Sequence, residues 1–188
     1  MDYSVVRTGI EEGDVLAFHF DPGSIFSQLI SFRTRSRVSH VGFAVKVHGR
    51  VCVIEAIEGR GVRVFPLSMV LKQGRKVDWY HTDVPRTSWR WTISNEALSH
   101  WGRKYASPWQ FVRSFGLLTR WVCDRLGVAR DTNDKRFFCS EFVVSCLKRS
   151  GIMIDGDSAL MSPGDVIELP CLVRRGTLEW ITNSKQKS

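Results

Sequence analysis

At 188 residues, 43% hydrophobic and 24% charged, the chain has the balance of a single globular domain, which excludes a disordered or low-complexity protein. Its net charge of +8 admits anionic partners, but no basic helix or aromatic platform of a nucleic-acid module is legible, so no nucleic acid is expected. No apolar run approaches the length of a membrane span, and Met1 to Glu12 is polar and acidic where a secretory signal would be basic and then apolar. The expectation is a protein cytoplasmic as synthesised, with delivery elsewhere left to a dedicated secretion route and peripheral membrane contact left open.

Taken in order, Val15 to Phe20 alternates as a first strand, and Asp21-Pro22-Gly23 breaks it. Ile25, Phe26, Leu29, Ile30 and Phe32 are spaced as a short helix. Strands follow at Ser39 to Val47 and Val51 to Ile57, with His48-Gly49 as the turn between them. Gly61 to Phe65 is another short strand, Pro66 to Gly74 a turn with a short helix, and Val77 to Thr82 a further strand. From Ser94 to Leu118 the pattern is helical, read as two helices broken at Ser107-Pro108. Asp131 to Asp134 is a polar loop. Cys139 then opens a helix whose apolar face is Phe142, Val143, Cys146 and Leu147, with Lys148 and Arg149 in its last turn and Gly151 beyond. Ser162-Pro163-Gly164-Asp165 is a helix start with Pro at its first position. The tail over 183–188 is expected to fray. Strands in the first half and helices in the second argue an α+β class.

Five cysteines show no paired spacing, so a reducing compartment is the default and neither disulfide, metal nor other cofactor is read from them. Cys139 is the exception in position. A thiol in the first helical turn meets the positive end of the helix dipole, which favours thiolate. The plain alternative is a small buried hydrophobe.

The hairpin decides between these readings. With His48 and Gly49 as its loop, paired positions sum to 97, so Gly42 faces Glu55 and Ala44 faces Val53. His40, Gly42 and Ala44 then share a face with Val53, Glu55 and Ile57, making Glu55 a diagonal neighbour of His40. Val41, Phe43, Val45, Cys52, Ile54 and Ala56 form the opposite, nearly pure core face. Glu58 falls on that side, and a one-residue slip would reverse the assignment. Small Gly42 and Ala44 leave a gap beside His40 that a helix starting at Cys139 would fill. Thiol, imidazole and carboxylate would then form a nucleophilic triad, with an oxyanion site at the N–H groups of Cys139 and Ser140. His19, His48, His81 and His100 lack a comparable partner in the pattern.

These residues resemble the circularly permuted branch of the NlpC-type papain-like cysteine peptidases and amidases, the YiiX-like and poxvirus-like group. The resemblance runs through Gly13-Asp14-Val15-Leu16, Ser39-His40-Val41-Gly42, Val53-Ile54-Glu55-Ala56, Phe138-Cys139-Ser140-Glu141-Phe142-Val143 and Ser162-Pro163-Gly164-Asp165-Val166, about 13–166 of one catalytic domain. It implies an antiparallel sheet or small barrel packed on a helical subdomain, with Cys139, His40 and Glu55 catalytic and no cofactor. It also implies a substrate-pocket tyrosine followed by aspartate; Tyr105 stands at that position, but Ala106 replaces the aspartate. Trp101 and Trp109 would wall an aromatic cleft or serve as ordinary core. Ser39 and Arg37, just upstream of His40, complete the candidate substrate set; Arg37 with Arg33 and Arg35 suits an anionic group or a solvated edge. The implied reaction is hydrolysis of an amide in a peptide or peptidoglycan-type substrate through an acyl-thioester. One version is a cell-wall-targeting toxin with an immunity protein as partner. The alternatives are a lipid-directed acyltransferase, thioesterase or phospholipase of the lecithin:retinol acyltransferase type, and a non-catalytic binding protein on the same fold.

Overall fold

A computed structural model describes residues 1–20, 36–57, 59–83, 87–104 and 138–181. Six strands form one open antiparallel sheet: β1 (Val15–His19), β2 (Val38–Val47), β3 (Arg50–Ile57), β4 (Gly61–Pro66), β5 (Val77–Thr82) and β6 (Leu172–Leu178). Their spatial order is β4-β3-β2-β1-β5-β6, so the sheet has two edges and is not a closed barrel. The helices are α1 (Tyr3–Val6), α2 (Leu67–Lys72), α3 (Thr87–Ser99), α4 (Cys139–Arg149) and α5 (Pro163–Ile167). The architecture is α+β, as the segregation of strands and helices implies. Among the described residues no helix is long and apolar enough to cross a membrane.

Both faces of the sheet are covered, which explains why its central strands are almost wholly apolar. On one face Val15, Ala17, Val41, Phe43, Val45 and Ile54 pack against α4 and its neighbours Ile93, Ala97 and Val166. On the other, Leu16, Phe18, Ala44, Val53 and Trp79 pack against Leu67, Val70 and Leu71 of α2 and against Tyr3 and Ile10. The β2–β3 hairpin has the expected register, from Val47 opposite Arg50 to Phe43 opposite Ile54. His48 and Gly49 both take positive φ, 47° and 74°, the geometry of a two-residue hairpin turn matched to strand twist.

Three elements differ from expectation. Helix α3 starts at Thr87 rather than Ser94 and ends at Ser99, because His100 to Arg103 turn back and pair with β4: Val62 donates to Arg103 O and Gly102 to Val62 O. Strand β6 is not apparent in the sequence, since Arg174-Arg175-Gly176-Thr177 lacks a strand's apolar alternation. Helix α1 is a single turn that Asp2 caps through the Ser4 N–H. The expected helix around Ile25 to Phe32, the segment beyond Lys104 and the loop before Cys139 lie outside the described residues, as does Glu58.

Candidate active site

Helix α4 begins at Cys139 for local reasons. Phe138 is extended (φ −79°, ψ 159°), its C=O accepts the first helical bond from Phe142, and its N–H is reached by the Glu141 carboxylate at 3.4 Å. Burial pushes the Glu141 carboxyl above its ordinary value. The other end closes on Gly151 at φ 93°, with Ile152 N–H bonding Leu147 O and Gly151 N–H bonding Lys148 O, a Schellman stop. Phe142 is fully buried and meets Phe43 edge-on at 6.1 Å. Burying such a ring contributes about 2–3 kcal/mol and fixes the helix on β2. The N–H groups of Cys139, Ser140 and Glu141, in the first turn, have no acceptor within the helix itself.

Helix α4 lies on the Val41/Phe43 face and not in the gap expected beside Gly42 and Ala44. Ala44 packs in the opposite core. A Cβ at Gly42 would lie 2.7 Å from Ile54 O and 3.0 Å from Glu55 Cβ. Gly42 is therefore small to let β3 approach. The imidazole reaches the helix start by another device. Phe18 pairs with His40 but His19 pairs with Val38, which leaves Ser39 as an extra residue in β2. Such a bulge twists the strand and re-aims its side chains. Ser39 itself is buried at 3% exposure.

His40 sits between sulfur and carboxylate. Its Nε2 is 2.9 Å from Glu55 Oε2, and the Cys139 side chain is near enough to strengthen the ring's hold on a proton. With Nε2–H given to Glu55, Nδ1 is the nitrogen that can take the thiol proton. The ring, 17% exposed, rests on Phe18 with centroids 5.3 Å apart. Burial is the largest single influence on the ring and disfavours the imidazolium. The negative charge and hydrogen bond of Cys139, and then Glu55, together outweigh it and raise the His40 pKa from 6.5 to about 9. Burial likewise pushes the Glu55 carboxyl up, but His40 and Arg63 hold it below the usual range. Glu55 has a second partner that the pattern did not suggest. Arg63, directly opposite on β4, donates to Oε1 from Nε at 3.1 Å and Nη2 at 2.9 Å, and its guanidinium lies 4.8 Å from the Phe65 centroid. The legible clue was the 118-sum register of the β3–β4 turn, had its loop been fixed.

The remaining candidates are scattered. Ser140, the second helical residue, is 3% exposed beside the thiol. Arg37 pairs with Asp78 Oδ2 at 3.0 Å. Trp101 is 64% exposed in the turn that pairs with Val62. Tyr105, Trp109, Arg33 and Arg35 lie outside the described residues. The expectation that the other histidines lack partners is corrected. His19 lies 3.2 Å from Asp78, His81 3.4 Å from Asp14, and His100 3.1 Å from Glu96. Long-range β1–β5 pairing creates the first two contacts, beyond any local reading, whereas His100 and Glu96 are an i,i+4 pair at the end of α3. What distinguishes His40 is the Cys139 thiol near its ring.

Among the described residues no group of three or more His, Cys, Asp and Glu could hold a metal ion. Around His40 the reason is plain: the Arg63 guanidinium already occupies the carboxylate a cation would need.

No protein-family model matches the chain, and no curated protein does. A solved structure does: the metalloprotein YiiX from Escherichia coli O157:H7, at a TM-score of 0.66 and 20% identity over 92% of this chain and 99% of that one. The chain shares the fold of that protein along nearly its whole length.

Proposed function

We propose that the chain is a cysteine hydrolase on a permuted papain-like framework, cleaving an amide in a peptide or peptidoglycan-type substrate. The observation that carries this reading is one imidazole hydrogen-bonded to a buried, arginine-held carboxylate, with the thiol of a helix start near enough to raise its proton affinity. Cys139 would attack the scissile carbonyl carbon while His40 takes the thiol proton. The N–H groups of Cys139 and Ser140 would receive the oxyanion. Collapse of the tetrahedral species passes the His40 proton to the leaving amine and leaves an acyl-thioester. Water, deprotonated by His40, then releases the acid and restores the thiol. Glu55 fixes the ring tautomer throughout, and Arg63 keeps Glu55 ionised. The amide rather than ester substrate rests on the resemblance of the five sequence blocks to the permuted NlpC-type group.

Digestion of purified peptidoglycan with mass spectrometry of the soluble products tests the reading. New amine and carboxyl termini should appear with the unchanged protein and vanish with Cys139→Ala. Release of fatty acids from phospholipid vesicles, with peptidoglycan untouched, would instead place the same triad in lipid chemistry.

A further inference from the structure

A second polar cluster lies at the same end of the sheet as His40. Asp78 is fully buried on β5, facing the side of the sheet that carries α4, since its partner Ala17 and its neighbour Tyr80 belong to that core. Around this one carboxylate stand two arginines from distant parts of the chain. Arg174 Nη2 donates to Asp78 Oδ1 at 3.0 Å, and Arg37 Nη2 lies 3.0 Å from Oδ2. Tyr80, two residues on along β5, pairs with Arg174 across the sheet. His19 approaches the same Oδ2 at 3.2 Å.

The fold makes local adjustments to produce this gathering. Trp79 pairs with Gly176 but Tyr80 pairs with Arg174, so Arg175 is an extra residue in β6. Because of that bulge Arg174 and Thr177, three apart, both reach Asp78, and Gly176 takes φ 155°. Arg37 enters beside the other bulge, at Ser39. Its Cα is within roughly 10 Å of the Cα of His40, three residues on.

Charge in the cluster does not balance. Two guanidiniums share one carboxylate, so the group is positive even with His19 neutral. Nor are the arginines spent: 58% of the Arg37 side chain and 43% of Arg174 face solvent. Arg37 meets Asp78 Oδ2 as a charge contact without an aligned hydrogen bond, so its fork can turn toward an arriving anion at small cost.

We propose that Arg37 and Arg174, held on Asp78, form an anion subsite that receives a carboxylate of the peptide substrate close to the scissile amide. This rests on the amide-hydrolase reading for its placement, and it deepens that reading by requiring an acidic group on the substrate.

The test uses the full chain carrying Cys139→Ala, so that nothing turns over. N-acetyl-dialanine and its C-terminal amide are titrated while the arginine Nε–H resonances are followed. The free acid should shift the Arg37 and Arg174 signals and bind at least about tenfold more tightly than the amide, and Arg174→Gln or Arg37→Gln should erase that preference. Arg174→Lys keeps the ion pair to Asp78, and with it the fold, but removes the fork; it should restore only part of the preference. Equal binding of acid and amide, or preference retained in both glutamine variants, overturns the subsite. So does displacement of N-acetyl-dialanine by phosphatidylglycerol vesicles but not by inorganic phosphate, which assigns the arginines to a lipid surface. Iodoacetamide labelling of Cys139 in the unchanged protein, with and without His40→Ala, reads the catalytic reading separately. Labelling independent of His40 alongside selective acid binding would leave the subsite standing and remove the triad.

Discussion

Two buried carboxylates, Glu55 and Asp14, have the same kinds of neighbour and opposite prospects. Glu55 holds His40 and Arg63; Asp14 holds His81 at 3.4 Å and Arg90 at 2.8 Å, with Trp79 Nε1 at 2.7 Å. At Asp14 the arginine also covers the imidazole: Arg90 Nη2 lies 2.9 Å from Nε2 and 3.3 Å from Nδ1 of His81. Arg90 further contacts Glu11 and the carbonyls of Glu12 and Thr82. That cluster fastens α3 to the sheet and leaves the ring no reacting partner. At Glu55 the arginine holds the other carboxylate oxygen, which leaves Nδ1 of the ring uncovered by it, with the Cys139 thiol nearby. A carboxylate beside a histidine is thus common in this fold, and chemistry is decided by what the imidazole faces next.

The comparison can be broken most sharply at the sulfur. Cys139→Ala should lower amide turnover by at least about a thousandfold while leaving the circular-dichroism spectrum unchanged, whereas Cys146→Ala should not touch turnover of the folded protein. Cys146 is on the buried face of α4, and burial pushes its thiol well above the ordinary range. Next comes Asp14→Ala, which strands Arg90 in a nearly buried site. It should cost about 3–5 kcal/mol in thermal or urea unfolding, with kcat per folded molecule unaltered. Turnover lost in proportion to Asp14 rather than to stability would show that the two clusters are not separate. Glu55→Gln, measured by steady-state kinetics, should lower kcat by about ten- to a hundredfold and leave a reactive thiol. Gly42→Ala should destabilise by about 1–3 kcal/mol in urea melts, because its Cβ would press on Ile54 O.

The smallest effect is on pH dependence. The folded His40 binds its proton more tightly than the ordinary ring, at about 9 against 6.5. Its pairing with Cys139 and Glu55 therefore contributes stability in full below pH 6.5 and loses it as pH rises through 9. Urea midpoints across that window should fall, and His40→Gln should flatten the decline. Turnover should decline over the same alkaline limb, since the leaving amine then lacks its acid. A decline that persists unchanged in His40→Gln would assign it to another group.

Much of the site was legible because it is local. The His48-Gly49 turn specifies the hairpin register, and register alone puts His40 near Glu55 on one surface. The start of α4 at Cys139 and its stop at Gly151 follow from apolar spacing and capping chemistry. The face that receives α4 was misplaced, since a single bulged residue, Ser39, cancels the alternation on which the inference relied. Arg63, Arg90 and Arg174 were invisible for a different reason. Each reaches its carboxylate across strands or elements whose pairing depends on the whole sheet, and a surface arginine in the sequence looks the same whether it ends in water or on a buried oxygen. Strand β6 shows the same limit, since Gly176 and two arginines hide it from any reading of periodicity.

The two-residue turn at His48 has one more consequence, for the order in which the candidate site assembles. The base and its carboxylate sit on a hairpin that closes over the shortest possible loop, an event of microseconds. The sulfur belongs to a helix about a hundred residues later in the chain, whose docking must wait for distant contacts that close slowly. A nascent or partly collapsed chain therefore holds the imidazole–carboxylate pair before the thiol reaches it, so the candidate site is completed only at the last stage of folding.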